Sequence, residues 1–136
     1  MAARRIGIGF DWQGSIDRER SLERVKVADQ VGVDSVWAAE AWGRDAFTLL
    51  VRAAEVTENV KLGTSIVNNY SRTTAALAQH FGTLEELSEG RVIVGLGNSG
   101  PQVIEHFHGV KFQPAFRRMR ETVEIMQVLF SGEPLN

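Results

Sequence analysis

The chain has 136 residues, and its 43% hydrophobic and 24% charged residues are an ordinary globular composition that argues against disorder. A net charge of −2 gives no electrostatic reason to expect nucleic acid or an anionic membrane as a partner. No apolar run approaches the length of a bilayer crossing, and the absence of cysteine excludes disulfides, thiolate metal sites and cysteine nucleophiles. We therefore expect a soluble protein of the cytoplasm.

Four short and largely apolar stretches predict β-strands. In chain order they cover residues 4–10, 34–40, 60–67 and 91–97. Their apolar residues run continuously and do not alternate with polar ones, which is typical of parallel strands buried on both faces.

Helical patterns separate these strands. The predicted helices run from about Asp17 to Val31, from Asp45 to Thr57, from Thr73 or Thr74 to Gly90, and from Pro114 to Phe130. Asp17 suits an N-cap and Pro114 a first helical turn, whereas Gly32 and Gly132 suit helix ends. Apolar residues at helical spacing are the predicted core positions: Leu22, Val25, Ala28, Val31, Phe47, Leu50, Ala54, Val56, Leu77, Phe81, Leu84, Leu87, Phe116, Met119, Val123, Met126 and Phe130.

The order of these elements predicts four βα units with right-handed crossovers and a parallel sheet. One architecture that fits is a small open sheet with helices on both faces. The other is half of a (β/α)8 barrel, whose full length is typically about 250 residues. Half a barrel leaves two unpaired edges that invite association. We therefore expect residues 1–136 to be either a piece of a longer barrel or a half-barrel that pairs with a second copy.

Polar and aromatic residues cluster where the predicted strands end. The four ends are Phe10 to Trp12, Glu40 to Trp42, Ser65 to Tyr70, and Gly97 to Gly100. Ligands collect at the carboxyl ends of parallel strands in either architecture. Aromatic rings, amides and small polar groups suit a flat ligand with polar edges better than a metal ion. The alternative is that these are ordinary transitions from strand to loop, where Asn, Ser and Gly are common.

The segment "GLGNSG" at residues 95–100 matches the G-x-G-x-x-G pattern of dinucleotide-binding proteins. It follows the fourth strand and not the first, and Glu121, about 20 residues further on, falls inside a predicted helix. This context argues against a Rossmann site. Two interpretations remain, a glycine-rich loop that lets a cofactor approach the backbone and a plain turn.

Few titratable residues of the sequence suggest a catalytic or metal-binding role. Asp11 and Glu40 could form a carboxylate pair for acid–base chemistry, or they could serve as helix caps or salt-bridge partners. His106 and His108 lie two residues apart without a third ligand at recognisable spacing, so no metal site is expected. His80 lies beside the apolar stripe of the third helix and is expected to be packed or at an interface.

Longer segments resemble a known family. The segments "GVDSVWAAEAWGRDAFTLL", "VKLGTSIVNNYSRTTAALAQHFGTLEELSEGRVIVGLGNSGPQVIEHFHGVKF" and "RMRETVEIM" are similar to the first half of the bacterial luciferase-like family, and specifically to its branch that uses coenzyme F420, a deazaflavin. The resemblance covers about residues 5–136 and is most specific in "LSEGRVIVGLGNSGP". It implies an α/β fold of the (β/α)8 TIM-barrel type, of which this chain supplies about four βα units. It also implies an oxidoreductase that transfers hydride to or from its cofactor, and a homo-oligomer, usually a dimer.

The resemblance further implies which residues contact the cofactor. By position, a cis peptide bond between Ser65 and Ile66 would bulge against the middle ring of the cofactor, with Asn68 close by and Asn69 and Tyr70 at the pocket rim. Glu40 corresponds to an acidic residue near the deazaflavin ring. The loop residues along the cofactor are Gly97, Asn98 and Ser99.

Two departures from the family limit what can be carried over. Some relatives have a histidine after the acid of the second strand, where this chain has Ala41, and some have a glutamate after the fourth-strand glycines, where it has Ser99 to Pro101. No catalytic residue is therefore assigned. Because the cofactor tail is bound mainly by later strands in this family, we expect weak or no catalysis by the chain alone.

Two other functions remain open beside F420-dependent hydride transfer to a small organic substrate. One is a monooxygenase of the same fold that uses flavin mononucleotide (FMN). The other is a non-catalytic half-barrel that self-associates through helix three, with Leu77, His80, Phe81 and Leu84, and through its open sheet edges.

Overall fold

The computed structural model describes residues 5–10 and 17–135, which alternate between strands and helices in the predicted order. The strands are β1 (Gly7–Gly9), β2 (Ser35–Ala38), β3 (Lys61–Thr64), β4 (Val67–Asn68), β5 (Val92–Ile93) and β6 (Leu96–Gly97). The helices are α1 (Arg18–Gln30), α2 (Ala46–Ala54), α3 (Thr74–Leu87), α4 (Pro101–Ile104) and α5 (Ala115–Ser131).

A parallel sheet forms the centre of the fold, with strand order β1-β2-β3-β5. Each strand pairs in parallel with the next, so the sequential order of the strands is also their spatial order. This is the topology of a partial (β/α)8 barrel, in which successive strands lie side by side and not on alternate sides of a first strand. The prediction of about four βα units in a TIM-type half-barrel is confirmed.

The third and fourth predicted strands are each broken in two. The breaks lie at 65–66 and 94–95, and the distal pieces β4 and β6 form a small parallel pair of their own. Thr64 and Gly95 meet at the break, because a Cβ on Gly95 would lie only 1.7 Å from the carbonyl oxygen of Thr64. The strands therefore approach closely at this point, and only glycine fits there.

Local capping chemistry sets the helix ends largely as predicted. The Asp17 carboxylate accepts from the amides of Glu19 and Arg20 and caps α1. Thr73 caps α3 in the same way, while Gly132 closes α5 in the left-handed conformation. Pro114 precedes α5 as its N-cap and does not lie in the first turn. The short helix α4 was not predicted.

The main core lies between the sheet and helices α1, α2, α3 and α5. Leu77, Phe81 and Leu84 of α3 are fully buried in it. The prediction that these residues form an association surface is therefore wrong, because they already pack against α2, α5 and the sheet. Within the described residues, no helix has both the length and the apolar character that crossing a bilayer requires.

Several predicted core positions are exposed. Val31 follows the end of α1, Leu87 lies in the last turn of α3, and Phe116, Val123 and Phe130 point away from the core on α5, where Phe116 is 84% exposed. Met126 is the only one of the five predicted positions on α5 that is buried. The apolar residues of α5 spread over a wider face of the helix than the part that α3 covers, so some of them lie outside the core.

Candidate active site

Three of the four predicted strand ends meet. The amide of Glu40 after β2 donates to the carbonyl of Ile66 at 3.1 Å, and the amide of Asn69 after β4 donates to the carbonyl of Gly97 at 3.2 Å. The ends therefore form one continuous surface at the carboxyl edge of the sheet, where ligands bind in this architecture. β1 ends at Gly9 and Phe10 follows it, whereas Asp11 and Trp12 lie outside the described residues, so the proposed Asp11–Glu40 pair stays a prediction.

The segment between β3 and β4 follows the expectation from the family resemblance. The peptide bond between Ser65 and Ile66 is cis. Ser65 is exposed and Ile66 is half-buried. The Ile66 side chain lies against Gly97, where an added Cβ would come within 2.8 Å of Ile66 Cγ1. Gly97 therefore makes room for this side chain, and the two residues form one surface.

Asn68 has a structural task that its sequence context did not reveal. Its side chain is fully buried, and its Oδ1 accepts from the amides of Tyr70 at 3.0 Å and Ser71 at 2.8 Å. This is an Asx-type turn, which lets the chain leave β4 and reach the start of α3. A direct contact between Asn68 and a cofactor stays a prediction, because the turn already uses the amide oxygen.

Asn69 and Tyr70 are held from outside by helix α5. Arg118 Nε donates to the carbonyl oxygen of Asn69 at 3.0 Å, and its guanidinium lies 4.4 Å from the centre of the Tyr70 ring. The Tyr70 hydroxyl donates to the carbonyl of Phe112, whose ring stacks on that of Tyr70. Burial raises the pKa of Tyr70, with an opposing contribution from Arg118. Tyr70 therefore acts as a packed hydrogen-bond donor in this turn.

Glu40 lies in the most strongly bonded cluster of the strand-end surface. Arg72 NH1 contacts Glu40 Oε1 at 2.6 Å and Arg72 NH2 contacts Oε2 at 2.9 Å, which is a two-point pairing. Arg72 NH2 also lies 2.7 Å from Asp45 Oδ1. Glu40 Oε2 accepts from the amide of Ala46 as well, at 3.1 Å. Glu40 is therefore both a salt-bridge partner and a ligand of the first turn of α2.

Two groups of this cluster, Asp45 and Arg72, have a shifted pKa. Burial of Asp45 acts to raise its pKa, but hydrogen bonds from Thr48 and the charge of Arg72 outweigh it and lower the pKa. The pKa of Arg72 is raised, chiefly by its hydrogen bond to Glu40. Both carboxylates therefore face a permanently charged guanidinium.

Sequence reasoning missed Arg72. It is the first charged residue after the polar run that follows β4, and it directly precedes the α3 N-cap Thr73. That position was a usable signal, but its partners Glu40 and Asp45 lie 32 and 27 positions away in the chain. Only the sheet topology brings them together.

A cavity of about 290 Å³ opens beside this cluster. Its rim is partly aromatic, because the half-exposed ring of Phe107 lies 5.5 Å from that of Trp42 in an edge-to-face arrangement. The residues that line the cavity are Glu40, Ala41, Gly43, Asp45, Ser71, Arg72, Phe107 and His108. Phe107 and His108 were not predicted to lie here.

The glycine-rich segment has two different parts. Gly95 and Gly97 are required by close contacts with Thr64 and Ile66, so their pattern reflects strand packing. Asn98 and Ser99 follow at the strand-end surface, and Ser99 has a left-handed backbone with φ of +57°. Gly100 is the N-cap of α4. The segment does not open a long helix as a dinucleotide-binding motif does.

The histidines have separate surroundings. His108 Nε2 lies 3.5 Å from Asn68 Nδ2, and His80 stacks on Phe47 with ring centres 4.8 Å apart. His80 is therefore packed against an aromatic ring on the outer side of α3. Across residues 5–10 and 17–135, no three His, Asp or Glu side chains are grouped to hold a metal ion.

Unsatisfied amides mark the part of the surface that a ligand could complete. Both side-chain atoms of Asn69 and the Oδ1 of Asn98 are buried without a hydrogen-bond partner among the described residues. Leaving such a group unpaired costs about 1–3 kcal/mol. Asn69 bonds the Gly97 carbonyl through its backbone amide and Asn98 directly follows Gly97, so one amide nitrogen and two amide oxygens lie next to the surface that Ile66 and Gly97 form. This polar set fits a planar ligand with polar edges.

Comparison with known proteins decides the family. The luciferase-like monooxygenase family is matched over residues 8–136. The chain belongs to this family. The parallel strand order and the meeting of the strand ends agree with that assignment.

Individual relatives are considerably longer than this chain. A Mycobacterium tuberculosis protein, provisionally named a coenzyme F420-dependent oxidoreductase, is 39% identical over 132 residues, which are 97% of this chain and 38% of that protein. The chain thus spans well under half the length of this curated relative.

Two solved structures show the same partial barrel. The coenzyme F420-dependent tetrahydromethanopterin reductase of Methanopyrus kandleri superposes with a TM-score of 0.78 at 25% identity, over 93% of this chain and 40% of that one. The oxygenating constituent of 3,6-diketocamphane monooxygenase from Pseudomonas putida, solved with FMN, gives 0.85 at 23% identity, over 98% and 41%. The second likeness concerns the fold alone.

Proposed function

We propose that this chain is the first part of a luciferase-like oxidoreductase that transfers hydride between a deazaflavin, coenzyme F420, and a small organic substrate. The observation that carries the proposal is the joining of three strand ends into one surface through the Glu40–Ile66 and Asn69–Gly97 hydrogen bonds. The F420-dependent names of similar proteins support the choice of cofactor.

The residues proposed to hold the cofactor are Glu40, Ser65, Ile66, Asn68, Gly97, Asn98 and Ser99. Such a cofactor, when bound, supplies or accepts the hydride. The half-buried Ile66 side chain and the backbone of Gly97 offer an apolar surface for one face of a ring. Asn98 and Ser99 offer polar groups at its edge. Asn68 contributes through the turn that it fixes.

The chain can also orient a substrate and limit its contact with water. The cavity beside Glu40 and Arg72 is bounded on its outer side by the Phe107 ring. Trp42 extends this aromatic rim, and exclusion of water strengthens every polar contact inside. No residue of this cavity is assigned a proton-transfer role, because three short contacts with protein donors already occupy most of the Glu40 carboxylate.

Cofactor titration tests the proposal directly. Fluorescence of oxidised coenzyme F420 is followed as the chain is added, and FMN is titrated in parallel. We expect saturable binding of F420 that is tighter than binding of FMN, and turnover that is weak or absent. Absence of F420 binding overturns the proposal, and ordinary turnover rates contradict the expectation that later strands are needed.

A flavin monooxygenase is the second candidate. The family matched over residues 8–136 is described as a monooxygenase family, which favours this alternative. Tight binding of FMN with none of F420 would reverse the order of the two proposals.

Self-association remains a proposal through the sheet edge, which is the part of the predicted surface that does not depend on the buried residues of α3. Val94 beside β5, and Val123 and Phe130 on α5, are exposed apolar residues along the edge of the sheet. An apolar surface beside an unpaired strand edge favours association. Light scattering after size exclusion is expected to give a dimer mass, and a concentration-independent monomer would exclude it.

A further inference from the structure

The Glu40 carboxylate is surrounded by four protein donors. Oε1 is approached by Arg72 NH1 at 2.6 Å and by the Ser71 hydroxyl at 3.5 Å, and Oε2 by Arg72 NH2 at 2.9 Å and the Ala46 amide at 3.1 Å. The side chain is only 8% exposed. Three of these contacts are short, so they fix the plane of the carboxylate, whereas the contact with Ser71 is at the limit of a hydrogen bond.

Arg72 is itself held rigidly. Its side chain is 18% exposed, and its guanidinium lies 5.2 Å from the centre of the Phe47 ring and contacts Asp45 at 2.7 Å in addition to Glu40. The planar fork of arginine can meet both oxygens of one carboxylate at once, which a lysine ammonium cannot do. The arginine thus links the end of β2, the start of α2 and the start of α3.

We propose that Arg72 is a positioning residue that acts through Glu40, and that this inference rests on the function proposed above. Arg72 orients the Glu40 carboxylate. One lone pair of Oε1 then has only the Ser71 hydroxyl, at 3.5 Å, as a protein donor, so this lone pair remains available at the cavity. Through this lone pair, Glu40 Oε1 accepts a hydrogen bond from one N–H or O–H group at the edge of the cofactor. Glu40, Asp45 and Arg72 together carry one net negative charge, which also favours a donor there.

The test is a double-mutant cycle on the binding of coenzyme F420, followed by fluorescence. We expect Arg72→Lys and Glu40→Gln each to weaken binding about tenfold, and Arg72→Lys to weaken it no more than about twofold further when Glu40→Gln is already present. An equal effect of Arg72→Lys in both backgrounds overturns the inference, because the arginine would then act independently of Glu40. No effect of Arg72→Lys on binding also overturns it.

Arg91→Lys is the matched control. Arg91 is a second partly buried arginine, which bonds Thr57, Val60 and Ser88 at the opposite, amino-terminal end of the strands. We expect this variant to lower the thermal midpoint and to leave F420 affinity within about twofold of wild type. Weaker binding in Arg91→Lys, matching that in Arg72→Lys, means that general destabilisation is responsible and overturns the inference.

If Arg72→Lys does not fold, Asp45→Asn replaces it in the cycle. Asparagine keeps the cap of α2 but removes the second carboxylate that holds Arg72. We then expect a loss of about threefold in binding that disappears in the Glu40→Gln background. Failure of the wild-type chain to bind F420 is a separate result, which removes the proposed function and this inference with it.

Discussion

Thr64 and Gly95 exchange two hydrogen bonds across the break in the sheet. The Thr64 hydroxyl donates to the carbonyl of Gly95 at 2.8 Å, and the amide of Gly95 donates to the same hydroxyl at 2.9 Å. One side chain thus replaces the ladder bonds that the two strands would otherwise form here. This pair lies directly before the strand ends that form the candidate site.

Gly95→Ala is expected to destabilise the chain strongly. An added Cβ would lie 1.7 Å from the Thr64 carbonyl oxygen, which is backbone and cannot move aside without shifting β3. We expect a loss of about 3 kcal/mol or more in the free energy of unfolding, measured by chemical denaturation. Gly82→Ala is the control, because Gly82 lies inside α3 with no atom near its missing Cβ. That substitution should stabilise by up to about 1 kcal/mol.

Thr64→Val tests the hydroxyl itself at nearly constant shape. The substitution leaves the amide of Gly95 without a partner in a part-buried position and removes one of the two donors to its carbonyl, which keeps the Val67 amide at 3.1 Å. We therefore expect a loss of about 2 kcal/mol in unfolding free energy. Thr64→Ser keeps the hydroxyl and should lose clearly less. Equal losses in the two variants would mean that the methyl group, and not the bonded pair, stabilises this junction.

Asp29→Asn is expected to destabilise the junction between α1 and β3. The Asp29 carboxylate accepts from three successive amides, those of Glu58, Asn59 and Val60, at 2.6–3.0 Å. An asparagine side chain can accept through one oxygen only and would direct an N–H group towards an amide donor. We expect a loss of about 2 kcal/mol at pH 7 in chemical denaturation.

The same variant should change the pH dependence of stability. Burial acts to raise the pKa of Asp29, but the three amide bonds outweigh it and hold the pKa below its ordinary value. A carboxyl whose pKa is lowered in the folded state adds stability above about pH 4, and that stability is lost as pH falls through the folded-state pKa. Asp29→Asn should therefore lose less stability than wild type as the pH falls below about 4. Parallel stability curves for the two proteins would contradict this.

Ser99→Gly separates cofactor contact from folding. Ser99 has a left-handed backbone, which glycine adopts without steric cost, so we expect unfolding free energy to stay equal or to rise by up to about 1 kcal/mol. If the hydroxyl binds the cofactor, F420 affinity should fall severalfold in fluorescence titration, by the worth of one hydrogen bond. Unchanged affinity in a folded Ser99→Gly protein removes Ser99 from the proposed site.

What the sequence predicts well is what neighbouring residues determine. Asp17 and Thr73 cap their helices through amides two or three positions away, and Gly132 ends α5 through its own backbone freedom. The alternation of strands and helices also followed from local patterns, whereas the strand order of a half-barrel was implied by the family resemblance. Such features require no knowledge of distant parts of the chain.

Contacts between distant parts of the chain account for the structural features that the sequence did not predict. Phe116 and Val123 share the helical spacing of buried Met126, yet both are exposed because α3, the main packing neighbour of α5 among the described elements, does not cover them. The turn that the fully buried Asn68 amide fixes was not predicted, while its place near a cofactor stays a prediction. Arg72 carried no local sign of its pairing with Glu40. Each of these outcomes depends on partners that the fold brings together.

The contacts of Arg118 make the asparagine turn and helix α5 a single cooperative unit. The guanidinium bonds the Asn69 carbonyl and covers the Tyr70 ring, while Tyr70 bonds the chain just before α5 begins. Neither segment can open to solvent without breaking the bonds of the other. Amide protons of the turn should therefore exchange with deuterium at the rate set by melting of the helix, although 49 positions separate Asn69 from Arg118 in the chain.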